Sequence, residues 1–392
     1  MSHITKNSQL HDQMVTWRHH IHKHPELSFK EEMTSDYIAS VLESHNIEMH
    51  RGLAVTGIVA TIHGTKKGKA IGLRADMDAL PIQEKNEFNH KSVHDGKMHA
   101  CGHDGHSTML LGAAVYLKEH NNFAGTVHCI FQPAEEGGGG GRVMVEEGIF
   151  EKFPCDAVYG MHNWPGLAEG QFAVHDTAVM AANETLKITI KGKGGHAAMP
   201  DQCIDPIMIG SQVVTALQSV VSRTVAPLDA AVISITMVDA GFVSNVIPNE
   251  MNLTGSLRYF KTEVGDEVKN KIESIAKGIS ESMGATATFS STPNYPATVN
   301  TPKHAQLCAQ AAETVVGKKN VLRNEKPSMG SEDFSFLLNA SEGAYIWIGN
   351  GLVPEDSPEG GCMLHNTQYD FNDEILPVGS SYWVELVRYL LK

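Results

Sequence analysis

Thr126-Val127-His128-Cys129-Ile130-Phe131 runs directly into Gln132-Pro133-Ala134-Glu135-Glu136 and then five consecutive glycines, Gly137 to Gly141. The first six residues are mostly apolar or β-branched and too few for a helix, which suits a strand buried on both faces. Val55 to His63, Ala70 to Leu73 and Ala157 to Met161 read the same way. Between these runs, Ser107 to Leu117 reads as a buried helix and Arg142 to Glu147 as a shorter one. Strands alternating with helices predict an α/β fold built on a mixed, mostly parallel sheet flanked by helices. In such sheets ligands sit beyond the carboxyl ends of strands, so the residues just after each strand carry the chemistry.

Two helical stretches, Asp12 to His22 and Glu31 to Ser44, precede this pattern and are separated by Pro25. A second pattern occupies Glu184 to Ser291. Leu186 to Lys191, Ala231 to Val238, Met251 to Leu257 and Ala285 to Phe289 read as strands, Ile207 to Val221 and Val264 to Met283 as helices. The order β-α-β-β-α-β is a complete α+β unit. The α/β text resumes with a helix from Lys303 to Val316, a strand at Ala344 to Ile348 and a helix from Leu376 to Leu391. The expected organisation is two-domain: a discontinuous larger domain, residues 1–182 and 292–392, with an inserted α+β domain of four antiparallel strands, residues 183–291.

The 392 residues exceed what one hydrophobic core usually serves, and 42% apolar residues can fill two. Lys and Arg number 31 against 45 Asp and Glu, a formal charge of −14, which opposes attraction to phosphate backbones or anionic lipid and disfavours a nucleic-acid partner. No stretch approaches the ~18 uninterrupted apolar residues of a membrane span, and Met1 to Ser8 are polar, so a cytoplasmic location and no membrane partner are expected. The six cysteines lack the close paired spacings of a zinc ribbon or a disulfide scaffold, which predicts reduced thiols.

Cys101 and His103 lie just before the Ser107 helix, Glu135 and Glu136 follow one expected strand, and His162 follows another. Thiolate, imidazole and carboxylate all bind zinc-like divalent ions. An adjacent Glu-Glu pair can divide the work: one carboxylate ligates while the other takes a proton from water. A pair wedged between Gln132-Pro133-Ala134 and five glycines does not sit on a regular helix face. His19, His20, His22 and His24 also cluster, and are read as the polar end of a helix rather than as a metal site.

Arg74-Ala75-Asp76-Met77-Asp78-Ala79-Leu80-Pro81, His99 to His106, Phe131 to Gly138, Gly160-Met161-His162-Asn163, Gly194-Gly195-His196-Ala197-Ala198, Asn245-Val246-Ile247-Pro248 and Leu364-His365-Asn366 occur in the order seen in the M20 peptidase family. The chain resembles that family from about Trp17 onward, and more narrowly its amidohydrolase branch, which includes hippurate hydrolases, N-acyl-amino-acid amidohydrolases and auxin-conjugate hydrolases. The resemblance implies two divalent metal ions per subunit (zinc, manganese, cobalt or nickel), with Cys101 bridging them and His103, Glu136, His162 and His365 as the other protein ligands. It implies Glu135 as general base. Other branches take an early ligand from a His-x-Asp motif; here the matching text carries Asp76 and Asp78, which are left as supporting residues.

The inserted domain resembles the family's lid and dimerisation domain, which implies a homodimer in which His196 reaches a partner's active site and polarises the scissile carbonyl. Asn245 and Arg258 are candidates for holding a substrate carboxylate, since guanidinium grips carboxylate with two hydrogen bonds. The expected substrate is a small N-acyl-L-amino acid, cleaved at its amide bond by activated water. Three other readings stand beside this one: a dipeptidase or carboxypeptidase on the same scaffold, a hydrolase with Cys101 as nucleophile and His103 or His106 as its base, and a noncatalytic zinc-binding protein.

Overall fold

The computed structural model describes residues 3–323, 325–353 and 362–392, which divide into two compact units. The larger comprises Met1–Val179, Val299–Lys326 and Asp333–Lys392; the smaller comprises Met180–Thr298 and Pro327–Glu332.

In the larger unit eight strands form one sheet, in the order Glu48–Leu53, Gly57–His63, Ala124–Gln132, Lys66–Asp76, Ala157–Pro165, Gly343–Gly351, Phe172–Ala173 and Val321–Leu322. The central strands, Ala124–Gln132 through Gly343–Gly351, pair in parallel, while the two at the Glu48 edge and the pairing of Phe172–Ala173 with Gly343–Gly351 are antiparallel. This is the mixed, mainly parallel sheet that the alternation of strands and helices predicts. Helices Gln9–Lys23, His103–Glu119, Pro302–Val316 and Leu376–Leu390 contribute Met14, Leu110, Ala114, Ala309, Trp383 and Val387 to its core. Ser8 starts the first of them by accepting a hydrogen bond from the His11 N–H, the ordinary N-cap arrangement.

The smaller unit is a separate antiparallel sheet, Ala231–Asp239, Glu250–Tyr259, Ala182–Lys191 and Thr286–Tyr295 in spatial order. Leu186, Ile188 and Ile190 alternate inward along one strand and meet Val213 and Leu217 of the helix Pro206–Arg223 and Ile272 and Ala276 of the helix Thr262–Ser282. Period-two and period-3.6 patterns therefore bury a common set of aliphatic side chains.

Three local expectations change. Val55 is not in a strand: with Ala54 it takes a left-handed conformation (φ 75° and 47°) and turns a hairpin between Glu48–Leu53 and Gly57–His63. The first arm of that hairpin is mostly polar and lies at the sheet edge, so it carries little hydrophobic signal. The helix expected from Ser107 starts four residues earlier, at His103. His162 lies within a strand rather than after it, because pairing with Gly343–Gly351 carries Ala157–Pro165 past it, with Trp347 opposite. Among the described residues no helix is long and apolar enough to cross a membrane.

Candidate metal centre

Asp76 and Gln132 end neighbouring parallel strands and lie directly opposite each other. The segments that continue from them, carrying Asp78 and the Glu135-Glu136 pair, therefore emerge side by side. The Asp78 carboxylate accepts the backbone N–H of Glu135 through Oδ1 and that of Glu136 through Oδ2, both at 3.0 Å, and the Ser28 hydroxyl at 2.9 Å. The Asp78 carbonyl takes the Nδ1 proton of His103 at 2.8 Å. One buried residue thus orients both glutamates and the first imidazole.

The imidazoles of His103 and His162 are each fixed through Nδ1 by a backbone carbonyl, and the Nε2 of each faces the other candidate ligands. With Nδ1 of His103 committed, its Nε2 is buried without a hydrogen-bond partner, 3.9 Å from Glu136 Oε1. His162 donates from Nδ1 to the Asn163 carbonyl at 2.6 Å, which leaves its Nε2 facing Cys101 Sγ at 3.4 Å. Glu136 Oε1 is likewise buried without a hydrogen bond and lies 3.3 Å from His365 Nε2. His365 takes a left-handed conformation (φ 66°), held by its N–H on the Ala100 carbonyl at 2.7 Å. Ligand atoms of Cys101, Glu136 and His365 lie within 4.8 Å of one another, as do those of His103, Glu135 and Glu136. Residues 101, 103, 135, 136, 162 and 365 are thus brought together from four separate segments.

A third such group joins Asp76 and His106 to His103 and His162. Asp76, however, is already satisfied by protein: Oδ1 by His106 Nδ1 at 2.6 Å and Oδ2 by the Arg74 guanidinium at 2.7 Å. His106 Nε2 in turn accepts the Asn163 N–H at 2.9 Å. The donor left open in this group is His103 Nε2, while His162 Nε2 meets only the Cys101 thiol.

The electrostatics match this donor set to a cation. Burial opposes charge on His103, but Asp76, Asp78 and Glu136 outweigh it and raise its pKa to about 10. Burial first, then Glu136, Glu135 and Asp76, push the Cys101 thiol well above its usual range, while burial and His106 hold His162 neutral. So many carboxylates draw a proton onto His103 where a dication would otherwise balance them, and a thiol so placed ionises only beside such a cation. Leaving buried polar atoms unpaired costs about 1–3 kcal/mol each, so the open His103 Nε2 and Glu136 Oε1 fit ligands for a divalent ion better than structural side chains.

Residues 72–389 match the family described as Peptidase family M20/M25/M40. The chain belongs to that family. It is 39% identical to the hippurate hydrolase of Campylobacter jejuni, with 96% of each chain covered, and 38% identical to the N-acetylcysteine deacetylase of Bacillus subtilis, covering 97% of this chain and 98% of that one. A crystal structure of a Bacillus subtilis dinuclear metal binding peptidase from the M20 family superposes with a TM-score of 0.85 at 35% identity, covering 97% and 98% of the two chains. This M20 chain is a metal-dependent amidohydrolase acting on small-molecule amides.

The M20 site has supports that sequence reasoning did not single out. Gly102, in a left-handed conformation (φ 93°), lies so close to Asn163 that a Cβ would fall 2.2 Å from its Nδ2. That amide donates to the Cys101 carbonyl at 2.7 Å and accepts the Tyr369 hydroxyl at 2.6 Å. Asn163 was legible only as the neighbour of His162, and Tyr369 gave no signal. His22, read as part of a polar helix end, is fully buried and bonded to Asp104 at 2.8 Å and to Glu84 at 3.2 Å. Asp104 is the residue after His103, so the helix that begins at His103 is tied to the N-terminal helix.

In the smaller M20 unit the structure pairs Gly195–His196 with Val246–Ile247, and Ala197 N–H bonds the Asn245 carbonyl at 3.0 Å. His196 and Asn245 are both exposed there. Arg258 is half-buried, with contacts to neutral oxygens: the Ser331 hydroxyl at 2.6 Å, the Met329 carbonyl at 3.1 Å and the Ser256 hydroxyl at 3.3 Å.

Proposed function

We propose that the chain hydrolyses the amide bond of N-acyl-L-amino acids, releasing a carboxylic acid and a free amino acid. The observation that carries the site assignment is the pair of open, buried donors, His103 Nε2 and Glu136 Oε1, beside Cys101, His162 and His365. These five residues would hold two divalent ions, and the ions would supply Lewis acidity for activating water and polarising a carbonyl. Glu135 removes the proton of the attacking water and delivers it to the amine nitrogen as the C–N bond breaks, so one carboxylate serves as base and then acid. Asp78 keeps that carboxylate in register through the backbone. His196, reaching from one protomer into its partner's site, donates a hydrogen bond to the carbonyl oxygen as it gains negative charge. Arg258, whose partners are hydroxyls and a carbonyl, has charge to spare for the substrate's carboxylate, with Asn245 as a second contact.

The same arrangement argues against Cys101 as nucleophile. Without a metal ion its thiol is kept protonated by burial first and then by the surrounding carboxylates, and both nitrogens of His106 are occupied by Asp76 and Asn163.

Association through the inserted unit completes the reading. Its strand Ala231–Asp239 is a sheet edge, and Met237, Val238, Phe242, Val243 and Val246 are exposed on or near it, which favours a homodimer.

The deciding experiment loads the purified protein separately with zinc, manganese, cobalt or nickel and offers paired N-acyl-amino acids and dipeptides, reading free amino acid. Release from hippurate or N-acetylcysteine, lost on prolonged chelation and regained with metal, is the expected result. Cleavage of dipeptides alone would replace this reading with the peptidase one. Activity that survives chelation would remove the metal from the mechanism.

A further inference from the structure

Glu31 is a fully buried carboxylate that the mechanism above does not use. It precedes the helix Glu32–Ser44 at the N-cap position, where an acidic side chain usually bonds the first turn; here it makes no such bond. It turns instead to three other donors. Oε1 accepts the N–H of Phe29 and the N–H of Ala134, each at 2.9 Å, and Oε2 accepts the Thr56 hydroxyl at 2.7 Å.

Phe29 and Ala134 share an unusual backbone, with φ 62° and 56°, a conformation disfavoured for residues with a Cβ. Ala134 immediately precedes Glu135-Glu136, and its carbonyl accepts the Gly140 N–H at 3.0 Å, closing the turn that carries the pair. Three residues before Glu31, the Ser28 hydroxyl bonds the Asp78 carboxylate that holds the N–H groups of both glutamates. The segment Ser28 to Glu31 therefore braces both supports of the pair: Asp78 beneath it and Ala134 just ahead of it.

We propose that Glu31 is a positioning residue for the metal centre, its carboxylate pinning Ala134 in the left-handed turn that aims Glu136 at the metal and Glu135 at the reacting water. The inference rests on the roles given above to that pair. Burial without a charged partner is costly for a carboxylate, and the carboxyl is pushed up to about 7, chiefly by burial. A group merely capping a helix would gain more at the solvated helix end.

The test compares Glu31→Leu, Glu31→Asp and Glu31→Gln in the full chain. Manganese affinity is read by titration calorimetry, kcat and KM on hippurate and N-acetylcysteine, and backbone opening by hydrogen exchange of the peptide spanning Gln132 to Gly140. Leu removes the acceptor and Asp withdraws it from Ala134. Both should weaken manganese binding about 10–100-fold, as losses of residues that orient metal ligands do, lower kcat by more than KM changes, and speed exchange. Gln should regain most of each, because its amide oxygen accepts both N–H groups while its NH2 donates to Thr56. If Leu does not fold, Asp decides. Wild-type manganese affinity and exchange in Glu31→Asp would overturn the proposal. A wild-type protein that binds manganese but releases nothing from either probe would overturn the substrate assignment alone, leaving affinity and exchange to judge Glu31.

Discussion

The two units treat their functional side chains in opposite ways. In the larger, the residues that support the metal centre are buried and committed, Asp76 to Arg74 and His106, Asp78 to two backbone N–H groups, Asn163 to Cys101 and Tyr369, and of the candidate ligands only His365 is exposed. In the smaller, His196 lies exposed on a two-residue strand pairing with Asn245 exposed in the turn beside it, and Arg258 contacts only neutral oxygens. On the roles proposed above, the difference follows from what each would do. Ligands for a small, highly charged ion gain from being fixed in advance, since misplacement by an ångström forfeits most of the interaction. Groups that meet a substrate gain from staying solvated until it arrives.

The sharpest way to break this contrast is Glu135→Gln. Turnover should fall about 10²–10⁴-fold, the usual worth of a general base, with metal content by elemental analysis unchanged. Preserved turnover would falsify the assignment of the base. Next comes His196→Ala, where kcat should drop about 10²–10³-fold as for other oxyanion donors, while metal content and melting temperature stay at wild-type values because the side chain is exposed. Asp78→Asn should do the reverse in kind: one of its two amide-facing oxygens becomes a donor, and metal affinity by calorimetry should weaken about 10–100-fold. Equal metal loss from the Asp78 and His196 variants would erase the distinction between the units. Arg258→Ala should raise KM about tenfold with kcat little altered, the size expected for losing a hydrogen bond to a charged group.

The smallest effect concerns pH. Burial raises the Glu31 carboxyl from its usual 4.5 to about 7, so between these values the folded state binds more protons than the unfolded. Its contribution to stability is therefore lost as pH rises from about 4.5 through 7. Glu31→Gln does not titrate, so its melting temperature relative to wild type should climb over that window. A constant difference would show that Glu31 carries no such linkage.

Much of the scaffold was legible because its segments obey simple periodicities. The β-α-β-β-α-β order of the smaller unit and the strand-helix alternation of the larger each follow from where apolar side chains recur. What periodicity missed was mostly polar: the Glu48–Leu53 arm of the hairpin, with few apolar residues to alternate, and the start of the helix at His103, set by a left-handed Gly102 packed against Asn163. His22 was misjudged for a related reason. A histidine on a helix looks solvated until the fold supplies Asp104 and Glu84.

The chain's text by itself determined the element order and the donor types, because hydrophobic spacing and side-chain chemistry are local properties. It also carried the ordered motifs by which the M20 family is identified. Only the tertiary structure decided which donors remain open. Asp76 and His106 have the same ligand chemistry as Glu136 and His162, and no local pattern separates them. The separation comes from Arg74 and from the Asn163 amide, which saturate the first pair, while Glu136 Oε1 stays buried without a hydrogen bond and His162 Nε2 meets only the Cys101 thiol. Likewise the use of Glu31 was invisible from position alone, since its bond to Ala134 joins residues 103 positions apart, and such pairings exist only once the sheet has brought distant strand ends together.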